Sequence, residues 1–233
     1  LLGWFFLLSV SSSLAQSTFV PNNKDYYHLV NRYEIKKGTL STDIHTSFRT
    51  YKRKNVALFA DSIKISSKSD EFNREYLIND NWEWAENHTN TSRKPFFKYF
   101  YRSKSDLFNV DTKSFDLHVN PVLYFSYGNE TASSDAPYIN TRGVELRAMI
   151  DRKVGFYTYI GENQARFPQY VRQNITANRA VPHEGFWKSY DNNAVDFFTV
   201  KGYVTFNATK SIDLQLGHDN LFIGNGYRSL LLS

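Results

Sequence analysis

Cysteine is absent from the 233 residues, and methionine occurs once, at Met149. Without cysteine there is no disulfide-stapled extracellular module, no thiolate nucleophile and no Cys-ligated zinc or iron–sulfur centre. No apolar run of about twenty residues follows the N-terminus, so no spanning helix is expected beyond it. Mean hydropathy is −0.50. That value leaves a membrane barrel open, because strands that alternate apolar and polar side chains average out as polar. No basic run with interleaved aromatics marks a nucleic-acid surface, although the net charge is +5. Acidic and basic residues are interspersed; the excess suits solubility, or an anionic lipopolysaccharide or acidic polysaccharide.

What is present is aromatic: 16 Tyr and 19 Phe. Interfacial girdles of an outer-membrane barrel use such a surplus, and so does a β-rich soluble protein. The clearest local pattern runs from Val144 to Ile160. Val144, Leu146, Ala148 and Ile150 share one face, opposite Glu145 and Arg147. After the polar turn Asp151-Arg152-Lys153, Val154, Phe156 and Ile160 share a face with Thr158 as the polar exception. Period two around a short turn predicts an antiparallel hairpin. A lipid-embedded barrel places the apolar side outward and the charges inward; a soluble sandwich reverses the faces.

Around this hairpin, Phe115 to Tyr127 predicts a strand with a bulge or break at Pro121. Phe197–Phe206 and Ile212–Leu216 predict a second hairpin about the turn Asn207-Ala208-Thr209-Lys210. Long connections, the polar 128–141 and the longer 161–195 with Pro168, Pro182, Gly185 and Trp187, alternate with these short turns. Outer-membrane barrels alternate in this way, with short periplasmic turns and long outer loops, which favours a barrel over a sandwich.

Residues 1–15 read as a signal peptide, apolar from Leu1 to Val10 with small residues Ser13 and Ala15 before a cleavage after Ala15. The missing charged leader predicts that the sequence starts part-way into it. Residues 16–110 are read as a lead-in, partly strand and helix, partly periplasmic or plug-like. Within it, 17–37 reads as polar lead-in, Ile44–Thr50 as a strand, Val56–Ile65 as a short helix, 66–95 as polar, and Pro95–Tyr101 as a β-prone run. Residues 111–233 are read as the first part of a transmembrane barrel. About six strands fall short of the roughly eight of the smallest closed barrels, so closing strands are expected beyond Ser233. The fold class expected is all-β: the N-terminal fragment of a large antiparallel outer-membrane β-barrel with a short helical or irregular N-terminal segment.

The run G-H-D-N-L-F-I-G-N-G-Y-R-S-L-L-L-S, Gly217 to Ser233, resembles the signature of the Wzi-like capsule-assembly family of outer-membrane barrels, and more closely its gliding-motility-associated RemB-like branch. Asn79-Asp80-Asn81-Trp82-Glu83-Trp84, Leu117-His118-Val119-Asn120-Pro121, Thr141-Arg142-Gly143-Val144-Glu145 and Val154 to Pro168 agree with it. The resemblance implies a large occluded barrel with surface-exposed loops. It implies a non-enzymatic role in attaching capsular polysaccharide or supporting surface gliding, and partners among outer-membrane lipid, lipopolysaccharide, surface polysaccharide or motility machinery. It supplies no binding motif at residue level.

Candidate ligand-binding residues are therefore read from chemistry. Trp82 and Trp84, flanked by Glu83 and Glu86, form either a sugar-stacking platform or an interfacial packing pair, the packing reading being preferred. His218 and Asp219 form an orienting pair that would prime Ser229 or Ser233, but i,i+1 strand residues face opposite sides and no G-x-S-x-G elbow is present. A structural polar cluster is preferred there too. In Ile223-Gly224-Asn225-Gly226-Tyr227-Arg228, Gly224 and Gly226 suit a tight turn, while Tyr227 and Arg228 are ligand candidates; Arg228 would pair a carboxylate or an acidic sugar. The stretch lacks the Lys-Ser/Thr end of a phosphate loop. His28, His45, His88, His118, His183 and His218 show no metal-binding spacing, so neither metal nor cofactor is expected. Glu145 with Arg147, and Asp213 with Gln215, are expected to line a lumen and pair across strands. Sequons at Asn87, Asn90, Asn129, Asn174 and Asn207 are read as chance in an Asn- and Thr-rich bacterial chain. The remaining alternatives are a secreted β-sandwich lectin and an outer-membrane hydrolase.

Overall fold

The computed structural model describes residues 16–230 apart from 23, 86–89, 94, 95, 98, 132, 183, 192, 210, 211 and 227. Residues 1–15, read as a signal peptide, lie outside the described residues. In chain order the elements are α1 (Tyr26–Lys37), β1 (Phe48–Arg49), α2 (Arg53–Asp61), α3 (Lys68–Asp80), a 3-10 turn (Trp82–Trp84), β2 (Phe108–Asp111), β3 (Phe115–Tyr127), β4 (Tyr138–Ile150), β5 (Val154–Arg166), α4 (Gln169–Asn178), β6 (Trp187–Tyr190), β7 (Ala194–Thr209), β8 (Ile212–His218) and β9 (Phe222–Ile223). The fold is mostly antiparallel β-sheet with four short helices.

The period-two segments form one sheet in the order β2-β3-β4-β5-β7, with β6 and β8 both paired to β7. The central hairpin is in register from Ile150↔Val154 to Tyr138↔Arg166. Strand β3 matches its expected span. Pro121 causes no break: it sits in an unbroken ladder opposite Val144. Strand β2 ends opposite Val119, so beyond it β3 has a neighbour on one side only, where a missing N–H is tolerated. Strands β5 and β7 run further into the long connection than the alternation suggested, because Gly161 to Arg166 keep pairing with β4 and β7. Among the described residues the sheet is open, with edges at β2 and, beyond β7, at β6 and β8. At Gly143 a Cβ would stand 2.2 Å from Ile160 O, so only glycine lets β4 and β5 approach there.

The two faces differ. On one, Leu123, Phe125, Val144, Ile150, Ile160, Phe198, Val200, Leu214 and Leu216 stand exposed, with Thr158 among them. On the other, Asp116, His118, Glu145, Arg147, Met149, Tyr157, Tyr203 and Thr205 are buried. What buries them is the N-terminal unit, contrary to its reading as a mainly polar lead-in. Helices α1 to α3 enclose a core of Val20, Tyr26, Tyr27, Leu29, Val30, Tyr33, Val56, Phe59, Leu77 and Ile78. Helix α1 ends at Gly38 in the left-handed region, whose N–H bonds Glu34 O. Helix α3 starts at Ser67, which accepts from Asp70 N.

Three local expectations fail. The strand over Ile44–Thr50 shrinks to β1, because Ile44 turns into the helical core and only Phe48 and Arg49 pair, with Ile223 and Phe222. The helix read as Val56–Ile65 is α2, a turn earlier, since Ser62 closes back on Leu58 and Phe59. In the run read as Pro95–Tyr101, Phe96 bridges Phe100, and the rings of Phe96, Phe97, Tyr99, Phe100 and Tyr101 are exposed rather than in a strand; Pro95 and Lys98 lie outside the described residues.

Candidate functional site

The helical unit meets the sheet at the short-turn end. Gln16 N–H donates to Arg152 O at 2.7 Å, and Gln16 Nε2 to Thr205 Oγ1 at 2.5 Å. Phe19 packs edge-on against Tyr203, which stacks on Tyr157. At the centre the contact is ionic. Arg53 is 1% exposed and reaches from α2 to Asp80 Oδ2 (3.2 Å), Asn81 Oδ1 (3.0 Å) and, on β4, Glu145 Oε1 (3.8 Å). Arg147 reaches the other way, from β4 to Glu83, and donates to Asp80 O at 3.1 Å. Glu145 and Arg147 thus pair with the helical unit, although Arg147 also meets His118 across the β3–β4 ladder at 3.1 Å.

Asp106 anchors a second ring of contacts. Its carboxylate accepts from Trp82 Nε1 (2.8 Å), Asn120 Nδ2 (3.0 Å), Ser103 Oγ (3.1 Å) and Ser105 Oγ (3.2 Å), and lies 3.0 Å from His118 Nδ1. The serine hydroxyls face the carboxylate and not the imidazole, which is not the contact a Ser–His relay uses. Burial works against the charged form of Asp106, but the His118 hydrogen bond and Arg147 outweigh it and hold the carboxyl well below its usual range. Asp80 is likewise penalised by burial and held low by Arg53, then Arg147.

A sign follows for pH. Carboxyls depressed in the docked state contribute stability that is present above the ordinary carboxyl pKa of about 4 and is lost as pH falls toward their depressed values. Fluorescence of Trp82 and Trp84 is therefore expected to change as pH falls below about 4. No change between about pH 5 and about pH 2 would contradict this assignment.

The predicted site residues divide. Trp82 and Trp84 are brought to the unit–sheet interface, Trp82 5.5 Å from the His118 ring and Trp84 5.4 Å from the Arg152 guanidinium. Trp82 Nε1 also donates to Asp106, so both rings are engaged in contacts within the chain. His218 ends β8 opposite Gly202 and is exposed. Asp219, which follows it, bonds Asn220 N; burial pushes its carboxyl up. Gly224 has φ +103, as a turn requires, and its N–H bonds Ser47 O; Gly226 shows no such φ. Arg228 is exposed, and Tyr227 lies outside the described residues. Asp213, expected to pair across strands, accepts from Asn207 opposite it on β7 and also binds Lys52 at 2.5 Å.

Sequence reading missed a groove at the long-loop end. Helix α4 packs Ile175 onto Ala165, Val195 and Phe197 of the polar face. Beside it lies a cavity of about 670 Å³ lined by Phe167, Trp187, Tyr190, Thr176, Arg179 and Asn193, among others. Trp187 Nε1 donates to Arg179 O at 3.1 Å, which fixes the ring at the rim. The available signal was the aromatic set Phe167, Phe186, Trp187 and Tyr190 within the long connection. Among the described residues no His, Asp and Glu cluster forms a metal site, and no helix is long and apolar enough to cross a membrane, which says nothing about strands. Set against known proteins, the chain matches no family model, no curated protein and no solved structure.

Proposed function

We propose that the sheet is one arc of an outer-membrane β-barrel wall, that the helical unit fills the short-turn end of its lumen, and that the protein acts without catalysis in holding surface polysaccharide or supporting gliding. The observation that carries this reading is the exposed apolar face. From Val154 to Ile160, and from Ile150 to Val144, the outward side chains are apolar except for Thr158. On β3 the apolar row continues to Leu123 and Phe125. The outward apolar run is seven residues on β4 and β5 and eleven on β3 from Phe115 to Phe125, about 23 Å and about 36 Å at ~3.3 Å each. A band about 25 Å tall crossed by tilted strands takes about 9–11 residues, a length reached on β3. Above it the outward residues turn polar, with Arg142 against Glu162 and Lys188 against Asp196. A soluble sandwich needs a second sheet on this face. Among the described residues the other sheet is the two-stranded β1–β9, which does not supply it.

The polysaccharide role rests on the family resemblance and is supported by the groove beside α4, where aromatic rings adjoin hydrogen-bonding groups at the loop end. The test has two parts. The protein is expected to need detergent and to shift its gel mobility on heating. In cells, Trp187→Ala is expected to lower retained surface polysaccharide, or gliding speed, at unchanged protein level in the outer membrane. Extraction by salt alone sinks the membrane reading; unchanged retention and gliding sink the role given to the groove.

A further inference from the structure

A second concavity lies on the helical unit, between the end of α1, the end of α2 and the segment that follows α2. It holds about 330 Å³ and is lined by Tyr33, Phe59, Ile63, Lys36, Lys37, Lys64, Ser62 and Ser66. Small-ligand sites begin at about 300 Å³. Its floor is apolar: Tyr33, Phe59 and Ile63 belong to the helical core. Its rim is cationic. Lys36 is spent on Asp70, at 2.6 and 2.7 Å, and on Ser66 Oγ. Asp70 is held well below the usual carboxyl range, first by that Lys36 bond and then by Ser66. This anchor fixes α1 to the start of α3. Lys37 and Lys64 make no ion pair among the described residues.

One further atom points to an occupant. Tyr33 is 5% exposed, yet its Oη has no hydrogen-bond partner. A buried phenol without a partner costs about 1–3 kcal/mol, and fold packing alone gives no return for it. The hydroxyl is closed off from solvent, so a guest with an acceptor group supplies the missing bond as the Tyr33 ring turns toward it. An apolar floor, a buried donor and two uncommitted ammonium groups at the rim define the guest's chemistry.

We propose that this slot binds a single-chain amphiphilic anion, its apolar chain on Tyr33, Phe59 and Ile63 and its carboxylate or phosphate head at Lys37, Lys64 and Tyr33 Oη. The proposal does not depend on the barrel reading, since every residue involved belongs to the helical unit.

The test must separate the slot from the exposed sheet face, which takes up amphiphiles of any charge. The full chain in phosphatidylcholine nanodiscs is irradiated with a C12 fatty acid carrying a diazirine near its methyl end, and adducts are mapped by mass spectrometry. Adducts are expected on the segments containing Tyr33 and Phe59–Ile63. Excess dodecanoate or dodecyl phosphate is expected to suppress them, and competition by only one of the two assigns the head group. Dodecanol is expected not to compete. The double variant Lys37→Gln/Lys64→Gln is expected to lower their yield at least about fivefold, and Tyr33→Phe at least about tenfold, as loss of a hydrogen bond to a charged head implies. Both lysines are exposed, so the double variant keeps the fold, and Tyr33→Phe removes only the hydroxyl. Adducts confined to outward sheet residues, equal competition by dodecanol, or undiminished labelling of the double variant would each overturn the proposal. A protein that labels as expected but dissolves without detergent would remove the barrel reading and leave this one standing.

Discussion

Arg147→Ala is expected to lower the stability of the folded chain by about 3–5 kcal/mol, the cost of leaving buried charges without their partner. The side chain is 4% exposed and its partner Glu83 5%, so water does not replace the lost bonds. Three groups are stranded together: Glu83, the Asp80 carbonyl and the neighbourhood of Asp106, which lies 3.8 Å from the guanidinium. The measurement is a urea titration in detergent, read from the tryptophans of the interface, with the slope checked against the parent. Arg147→Met combined with Glu83→Gln is expected to recover more than half of the loss, because an apolar replacement of a buried pair is often neutral. A loss below about 1 kcal/mol for Arg147→Ala would show that the remaining contacts, through Phe19 and the tyrosines, Gln16, Arg53 and Lys52, hold the helical unit without it. The network also explains a choice of residues. Apolar contact between unit and sheet is restricted to the small cluster of Phe19, Tyr157 and Tyr203, with Tyr159 beside it. Orientation is left to Arg53 and Arg147, which cross in opposite directions, and a misplaced unit would leave both unpaired.

That network also marks where reading the sequence succeeds and where it stops. Strands β3, β4, β5 and β7 are legible because period two is a local property: Phe115, Leu117 and Val119 announce a face before any partner is known. Helices α1 and α3 are not legible by the same means. In α1 the buried stripe is Tyr26, Tyr27, Leu29, Val30 and Tyr33, where tyrosine among polar neighbours does the work usually done by leucine. In α3 only Leu77 and Ile78 are apolar and buried, with Asp70 buried beside them. Their ends were readable: Ser67-x-x-Asp70 is a capping pattern, and Lys36-Lys37-Gly38 is a helix stop. Glu145 and Arg147 were visible as inward charges, but their partners Arg53 and Glu83 lie some sixty to ninety residues away. Pairing at that range follows from how α2 and the 3-10 turn dock, which no local pattern records. Trp82 and Trp84 were found as a pair for the same local reason, and only docking decides that they pack against the sheet.

Thr158→Arg separates the two environments open to the exposed face, and the expected difference is large. Thr158 is exposed and sits mid-strand opposite Leu146 and Gly202, near the middle of the apolar belt. Facing water, an exposed polar residue exchanged for another changes stability by no more than about 0.5 kcal/mol. Facing hydrocarbon near the bilayer centre, an arginine costs about 2–4 kcal/mol. Equilibrium unfolding from lipid vesicles is therefore expected to show a loss of about 2–4 kcal/mol for Thr158→Arg, with a small gain for Thr158→Val. The same arginine placed at Lys201, whose neighbours in the ladder lie on the opposite face, is expected to be nearly silent, since it exchanges one cation for another beside Tyr159. If Thr158→Arg is as silent as Lys201→Arg, the exposed face meets water. The row of Val144, Ile160 and Val200 would then stand in water, and neither lipid nor a protein cover would lie over Thr158, since either would make a buried arginine costly.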